Sequence, residues 1–297
     1  MPDKVLAVIV THNRLNLLKR CIYYLQKQST LPDILIINNE STDGTEKFLS
    51  ENNIGHITQS NEGSSAGWAR GISEGISKGY SFVWLMDDDG YPHHRALELL
   101  LENTDEHTAC ISSVVVKEKK HDEFVFGMSL LNRKGNPVVF SLKRKYYTFS
   151  ELPAGVETYP FVHLFNGALI NLEYAAQIDN VDRDYFIYGD EVDYYCRLRK
   201  VGNVFSLLSA LHYHPDVNQR VIDKMRVYYF IRNSIIINRK YFDLVIARNF
   251  FTVFVTWWRI LKRNGFLNSL TYVFGANTKY FYYGIRDGIK GNFIKRF

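Results

Sequence analysis

Short apolar runs recur through the first half of the chain, each closed by a polar stretch. Val5-Leu6-Ala7-Val8-Ile9-Val10 is wholly apolar and rich in β-branched residues, the pattern of a strand buried on both faces. Thr11-His12-Asn13-Arg14 is polar. Leu15, Leu18, Ile22 and Leu25 then repeat at helical spacing, and Asn13 stands where it can cap that helix. Ile34-Leu35-Ile36-Ile37 reads as a second strand ending at Asn38-Asn39, with Thr42 or Asp43 placed to cap a second helix. Strand, helix, strand, helix predicts a parallel α/β sheet. Asn61–Gly71 is polar and glycine-rich, and reads as a loop whose backbone approaches a ligand, with Arg70 available for a phosphate. Val83-Trp84-Leu85-Met86 then reads as the end of a buried strand, followed at once by Asp87-Asp88-Asp89-Gly90.

That acid triplet carries the first chemistry. Ligands of open α/β sheets bind beyond the carboxyl ends of the strands. Adjacent carboxylates repel unless a cation sits among them, so Asp87 and Asp89 are candidates to share one hard divalent ion, which could hold a diphosphate. The plainer alternative is a solvated acidic turn. Residues 112–160 read as short strands with turns such as Arg133-Lys134-Gly135-Asn136-Pro137, and Lys117–His121 and Lys143–Lys145 as solvated loop charge. A second acidic group, Asp190-Glu191-Val192-Asp193, opens an amphipathic helix, where the backbone dipole favours negative charge. A cap paired to Arg197 or Arg199 would account for it equally. His212 and His214 follow, the latter held extended by Pro215.

Charge divides the chain. Residues 220–297 hold 15 Lys and Arg against 3 Asp, whereas residues 1–219 hold 21 against 28 acids, for an overall +5. From about residue 240, Phe250, Phe251, Phe254, Trp257 and Trp258 mix with Arg259, Lys262 and Arg263, and Phe281–Arg286 and Phe293–Phe297 repeat the mixture. This suits a helix lying on an anionic membrane surface. A small helical subdomain or a homo-oligomer contact is the alternative. No nucleic-acid recognition motif accompanies the basic residues, so nucleic acid is not an expected partner. No apolar run reaches the roughly 18 residues of a membrane helix, and no signal peptide opens the chain. Three scattered cysteines, Cys21, Cys110 and Cys196, fit a reducing compartment. The expected location is cytoplasmic, peripheral on the inner face of the plasma membrane.

Four blocks in order, Val8–Arg14, Asn39-x-Ser41-Thr42-Asp43-Gly44-Thr45, Asn61-x-Gly63-x-x-x-Gly67-x-x-x-Gly71 and Asp87–Gly90, resemble family-2 glycosyltransferases of the GT-A fold. The resemblance implies a Rossmann-like, mostly parallel sheet with helices on both faces, over residues 1–240. Residues 1–110 would bind the nucleotide sugar, 111–240 would form the acceptor side, and 241–297 a helical extension. Thr11, Asn13, Arg14, Asn38, Asn39, Asp43, Asn61, Gly67, Arg70, Asp87 and Asp88 would bind the donor. Asn38 stands where the family usually has Asp; an amide still pairs with a pyrimidine edge, leaving uridine and thymidine both open. Mn2+ or Mg2+ would sit on Asp87 and Asp89, completed by His214 or else His212. Asn166, Gly167, Asp193 and Arg232 would line the sugar and acceptor pocket.

In the same family the acidic pair supplies the inverting base. That role falls on Glu191, with Asp190 as the alternative, since relatives usually place Asp at the base position. Val227-Tyr228-Tyr229-Phe230-Ile231-Arg232-Asn233 resembles the Tyr-Tyr-x-x-Arg-Asn signature of bacterial rhamnosyl- and galactofuranosyl-transferase-like members. It tilts the donor toward UDP-galactofuranose or dTDP-rhamnose and the acceptor toward a lipid-linked glycan of O-antigen, capsule or cell wall. The absence of a Gln-x-x-Arg-Trp element argues for single additions. Two rivals stand beside this reading: a sugar-1-phosphate nucleotidyltransferase, which would carry a Gly-rich loop after its first strand, and an inactive scaffold that binds nucleotide sugar or membrane.

Overall fold

The computed structural model describes residues 4–217 and 221–297. In chain order the elements are β1 (Val5–Thr11), α1 (Leu15–Leu25), β2 (Asp33–Asn39), α2 (Thr45–Glu51), β3 (His56–Gln59), α3 (Ser64–Ser77), β4 (Phe82–Asp87), β5 (Tyr91–Pro92), α4 (Ala96–Glu102), β6 (Thr108–Lys117), β7 (Lys120–Ser129), β8 (Lys145–Thr148), β9 (Thr158–Tyr159), β10 (Asn166–Asn171), α5 (Leu172–Ala175), α6 (Asp190–Leu198), β11 (Asn203–His214), α7 (Lys224–Tyr241), α8 (Val245–Asn264), α9 (Phe266–Phe274) and α10 (Thr278–Lys290). The chain divides into two compact units. One holds the residues up to Val181 with Tyr194–Asp216; the other holds Asp182–Asp193 with the residues from Val217 on.

The first unit is built on a sheet of order β3-β2-β1-β4-β10-β6-β11-β5. The strands β3, β2, β1 and β4 run parallel, β10 is antiparallel to both its neighbours, and β6 and β11 are again parallel. Alternation along β1 decides its two faces. Leu6, Val8 and Val10 pack with Trp68, Ala69 and Ile72 of α3. Val5, Ala7 and Ile9 pack with Leu18, Cys21, Ile22 and Leu25 of α1 and with Ala96, Leu97 and Leu100 of α4.

Three expectations change. The glycine-rich stretch is helical from Ser64 to Ser77, not a loop. Gly67, Gly71 and Gly75 line one face of α3, and a Cβ on each would stand 2.6, 2.3 and 2.5 Å from Cγ1 of Val10, Val8 and Val83. They bring helix and sheet close together. Residues 108–129 form two ten-residue strands, β6 and β7, rather than a set of short ones. The α1 N-terminus is not capped by Asn13; its Leu15 amide donates to Asp43 Oδ2 at 2.8 Å.

In the second unit α7 and α10 pack closely, because Gly284 and Gly288 face Ile231 and Ile235. Tyr228, Tyr229, Ile231, Ile260, Tyr272, Tyr280 and Phe281 form its core. Among the described residues no helix is long and apolar enough to cross a membrane.

Candidate active site

Parallel neighbours β1, β2 and β4 end on the same edge, which gathers three polar turns. Thr11 Oγ1 donates to Asp88 Oδ2 at 2.7 Å, and Arg14 Nη1 donates to Asp88 Oδ1 at 3.0 Å and Asp89 Oδ2 at 3.2 Å. Burial pushes the Asp88 carboxyl up from its ordinary value, and Arg14 and Thr11 offset this only in part. Asp88 thus ties the turn after β1 to the turn after β4. Arg20, which sequence reasoning missed, donates from Nη2 to the Asp89 carbonyl at 2.6 Å and from Nη1 meets Glu118 at 2.7 Å. Its only signal in the sequence is a cation on the polar side of a helix.

The turn after β2 is interlocked with the turn after β1. Asn13 Oδ1 accepts from the Thr42 amide at 2.7 Å, and the Asn13 amide donates to Ser41 Oγ at 2.9 Å. Besides capping α1, Asp43 accepts the Thr45 amide and hydroxyl at the start of α2. Asn38 is fully buried; its Oδ1 accepts from the Ser41 amide, and its Nδ2 donates to Thr58 Oγ1 at 3.1 Å and Glu46 Oε2 at 3.4 Å. An aspartate there would set one carboxylate against another, which gives the amide a local reason. Asn39 Nδ2 donates to the Gly63 carbonyl, and Asn61 Oδ1 accepts the Gly63 amide.

His214 reaches this edge because of β5. After Asp89-Gly90 the chain crosses to pair antiparallel with β11, putting Tyr91 and Pro92 opposite Tyr213 and His212. The crossing needs Gly90, since a Cβ there would lie 2.2 Å from His212 Nε2. His214 Nε2 stands 2.9 Å from Asp89 Oδ1, both groups being buried. Nδ1 of the same ring is 2.7 Å from the Pro215 carbonyl. A carbonyl only accepts, so Nδ1 carries hydrogen, and Nε2 is the ring atom that faces the carboxylate. Two electron-rich atoms in contact call for a proton or a metal ion between them, so this pair fits a divalent ion with mixed oxygen and nitrogen ligands. Asp87, half-buried at the end of β4, donates its amide to the Phe165 carbonyl. Among the described residues no three His, Cys, Asp or Glu side chains converge on a metal position. Asp89 and His214 therefore come together, and the expected trio with Asp87 does not. Two protein ligands leave room for phosphate oxygens and water, as such ions commonly require.

His212 is wholly buried, and burial with His214 nearby lowers its imidazole to about 3, so it is neutral. Neither of its ring nitrogens, nor Oδ1 of buried Asn166, has a hydrogen-bond partner among the described residues. Gly167, at φ 95°, packs against the His212 ring. Gly67 faces Val10, and Arg70 pairs with Glu74 on the outside of α3 at 2.9 Å.

In the helical unit, Asp190 is buried and Glu191 half-buried at the first turn of α6. Asp193 is fully buried, its Oδ1 accepting from Lys240 Nζ at 2.8 Å, Tyr241 OH at 2.7 Å and Tyr185 OH at 3.2 Å. Arg232 is also fully buried, on α7.

Residues 6–162 match the family model described as Glycosyl transferase family 2. Galactofuranosyltransferase GlfT1 of Mycobacterium tuberculosis is 32% identical over 72% of this chain and 71% of its own length. Among solved structures, S. aureus TarS 1–349 in complex with UDP superposes at TM-score 0.55 and 13% identity, covering 97% of this chain and 80% of that one. The chain spans 43% of the longer TarS structure. The mannosyltransferase PcManGT from Pyrobaculum calidifontis, in complex with GDP-Man and Mn2+, gives TM-score 0.56 at 10% identity, over 100% and 90% of the two chains. The α/β sheet with its helices on both faces is the GT-A fold; three of the four motifs that resembled the family fall at its strand ends, and the glycine-rich one runs from the turn after β3 into α3. The chain belongs to glycosyl transferase family 2.

Proposed function

We propose that this chain is an inverting, metal-dependent glycosyltransferase that adds one sugar to a hydroxyl of a lipid-linked cell-surface glycan precursor. The donor is UDP-galactofuranose, with dTDP-rhamnose second; the likeness to a galactofuranosyltransferase favours the first. The observation that carries this reading is the Asp89–His214 contact at a strand-end edge of a glycosyltransferase-family sheet. A bound Mn2+ or Mg2+ supplies positive charge against the diphosphate as it leaves. Asp89 and His214 hold that position. Asp88, through Thr11 and Arg14, fixes the backbone that presents Asp89. The loops of Asn13, Asn38, Asn39 and Asp43 receive the nucleoside. Glu191, or Asp190, takes the proton from the acceptor hydroxyl as it attacks, and the anomeric centre inverts in one step.

The acceptor's lipid places the enzyme at the cytoplasmic face of the membrane. Supporting this, Ile246, Phe250, Phe254 and Trp258 recur every fourth residue along α8 and are 87, 68, 47 and 44% exposed. Arg259, Lys262 and Arg263 follow them, suited to anionic headgroups.

A thermal-shift screen of nucleotide sugars tests the reading. UDP-galactofuranose should stabilise the protein with manganese and not with EDTA, and UDP should be released when a lipid-linked acceptor is added. Pyrophosphate release from a nucleoside triphosphate would instead indicate a nucleotidyltransferase. Binding without any turnover would indicate a scaffold.

A further inference from the structure

The backbone leading into Asp190 and Glu191 is folded against its own preferences. Arg183–Tyr185 make a 3-10 turn, and Phe186 follows at φ 66° and ψ −58°. The Ile187 amide donates to the Tyr185 carbonyl at 2.8 Å, closing a γ-turn of the strained, positive-φ kind. Tyr188 and Gly189 also have positive φ, 62° and 85°. Large side chains at such angles persist only where their surroundings over-determine the backbone.

Here the surroundings are two adjacent residues of α7. Arg232 Nη2 donates to the carbonyls of Asp184 and Tyr185, each at 3.0 Å, and Nη1 to that of Ile294 at 2.9 Å. Its Nε donates to Asn233 Oδ1 at 2.7 Å, which orients the amide. Asn233 Nδ2 then faces the carbonyls of Tyr185, Ile187 and Tyr188 at 3.0, 2.8 and 2.7 Å. The guanidinium carbon lies 4.8 Å from the centroid of the Tyr229 ring and 5.4 Å from that of Phe293, so packing fixes it as well. Beyond the acids the same helix takes hold again, through Lys240 and Tyr241 on Asp193. A guanidinium whose donors face the protein's own carbonyls is not presented to a sugar.

We propose that Arg232 and Asn233 are positioning residues: they hold residues 184–188 in the conformation that sets the carboxylate of Glu191 for proton removal. The proposal rests on the reading of Glu191 as the base. It predicts that loosening the clamp slows proton transfer and leaves donor binding alone.

The test follows UDP release from UDP-galactofuranose with manganese in Asn233→Ala and Arg232→Lys, with UDP affinity measured by calorimetry. Misplacing a reacting group by about an ångström can lower a rate roughly 100-fold, so kcat of Asn233→Ala should fall by about that factor. The donor KM and the UDP affinity should stay within about two-fold of wild type, and the acid limb of the pH–rate profile should move. Arg232→Lys keeps the charge but loses the forked donation to two carbonyls, and should fall between the two. In a Glu191→Gln background, adding Asn233→Ala should change the residual rate less than about two-fold, because residues acting as a unit are not additive. An inactive Glu191→Gln beside a wild-type kcat in Asn233→Ala overturns the clamp and leaves the base reading standing. Wild-type turnover in Glu191→Gln removes the base reading itself. If Asn233→Ala does not accumulate folded, hydrogen exchange on the wild-type protein decides: amides 186–191 should be protected as strongly as α7, and free-peptide exchange there overturns the proposal.

Discussion

Gly71 and Val8 are packed so closely that a Cβ on the glycine would lie 2.3 Å from Val8 Cγ1. The glycine spacing that resembles a ligand-approach loop is, at this position, a helix-to-sheet contact. Gly71→Ala should therefore destabilise the fold by about 1–3 kcal/mol through overpacking, although alanine is the better helix former. Val8→Ala in the same chain should return part of that loss as a favourable coupling of roughly 0.5–3 kcal/mol. Urea unfolding of the two single variants and the double variant measures it.

Glu191→Gln removes the proposed base while keeping the shape of the side chain. General-base contributions are typically about 100- to 10,000-fold, and a loss of that size in UDP release is expected. UDP affinity should stay unchanged by calorimetry.

Asp287 is fully buried on α10, where it accepts from Tyr228 OH at 2.9 Å and pairs with Arg286 and Arg296. Burial pushes its carboxyl up, but the bonds from Arg296, Tyr228 and Arg286 outweigh burial and hold it below its ordinary value. A depressed carboxylate stabilises the fold above its unfolded value, near 4, and that contribution is lost as pH falls through the folded value. Asp287→Asn should cost about 1.5–3 kcal/mol near pH 7. The gap to wild type should narrow steadily below about pH 4, as denaturant midpoints across pH would register.

Phe250→Ser with Phe254→Ser removes two exposed rings from α8 without touching the core. Burial of such a ring in the headgroup region contributes about 1.5 kcal/mol or more, so binding to anionic vesicles should weaken roughly 100-fold. Co-sedimentation with phosphatidylglycerol vesicles reads this, and the same variant should keep its thermal midpoint.

Local pattern made much of the fold legible. The run Val5–Val10, the helical spacing from Leu15 to Leu25 and the strand end at Asp87 all describe elements that form within a few residues of themselves. What could not be read depends on distant partners. The crossing from Asp89 through β5 to β11, which brings His214 to Asp89, is a pairing of two residues each side with no periodic signature. Asn233 belongs to a motif visible in the sequence, yet its donors meet the carbonyls of Tyr185, Ile187 and Tyr188 only once the helical unit has assembled. Arg70 shows the converse: a cation beside glycines suggests a phosphate, and its structural neighbour is Glu74 one turn along.

Calorimetric titration of UDP into the wild-type protein and into Asp89→Ala, each with manganese and with EDTA, bears most directly on the central claim. The wild-type protein should bind UDP only with manganese, and Asp89→Ala should lose at least about 100-fold in affinity, the upper range for disturbing a metal site's supporting partners. Equal UDP binding in EDTA, or unchanged manganese-dependent binding in Asp89→Ala, would contradict the account.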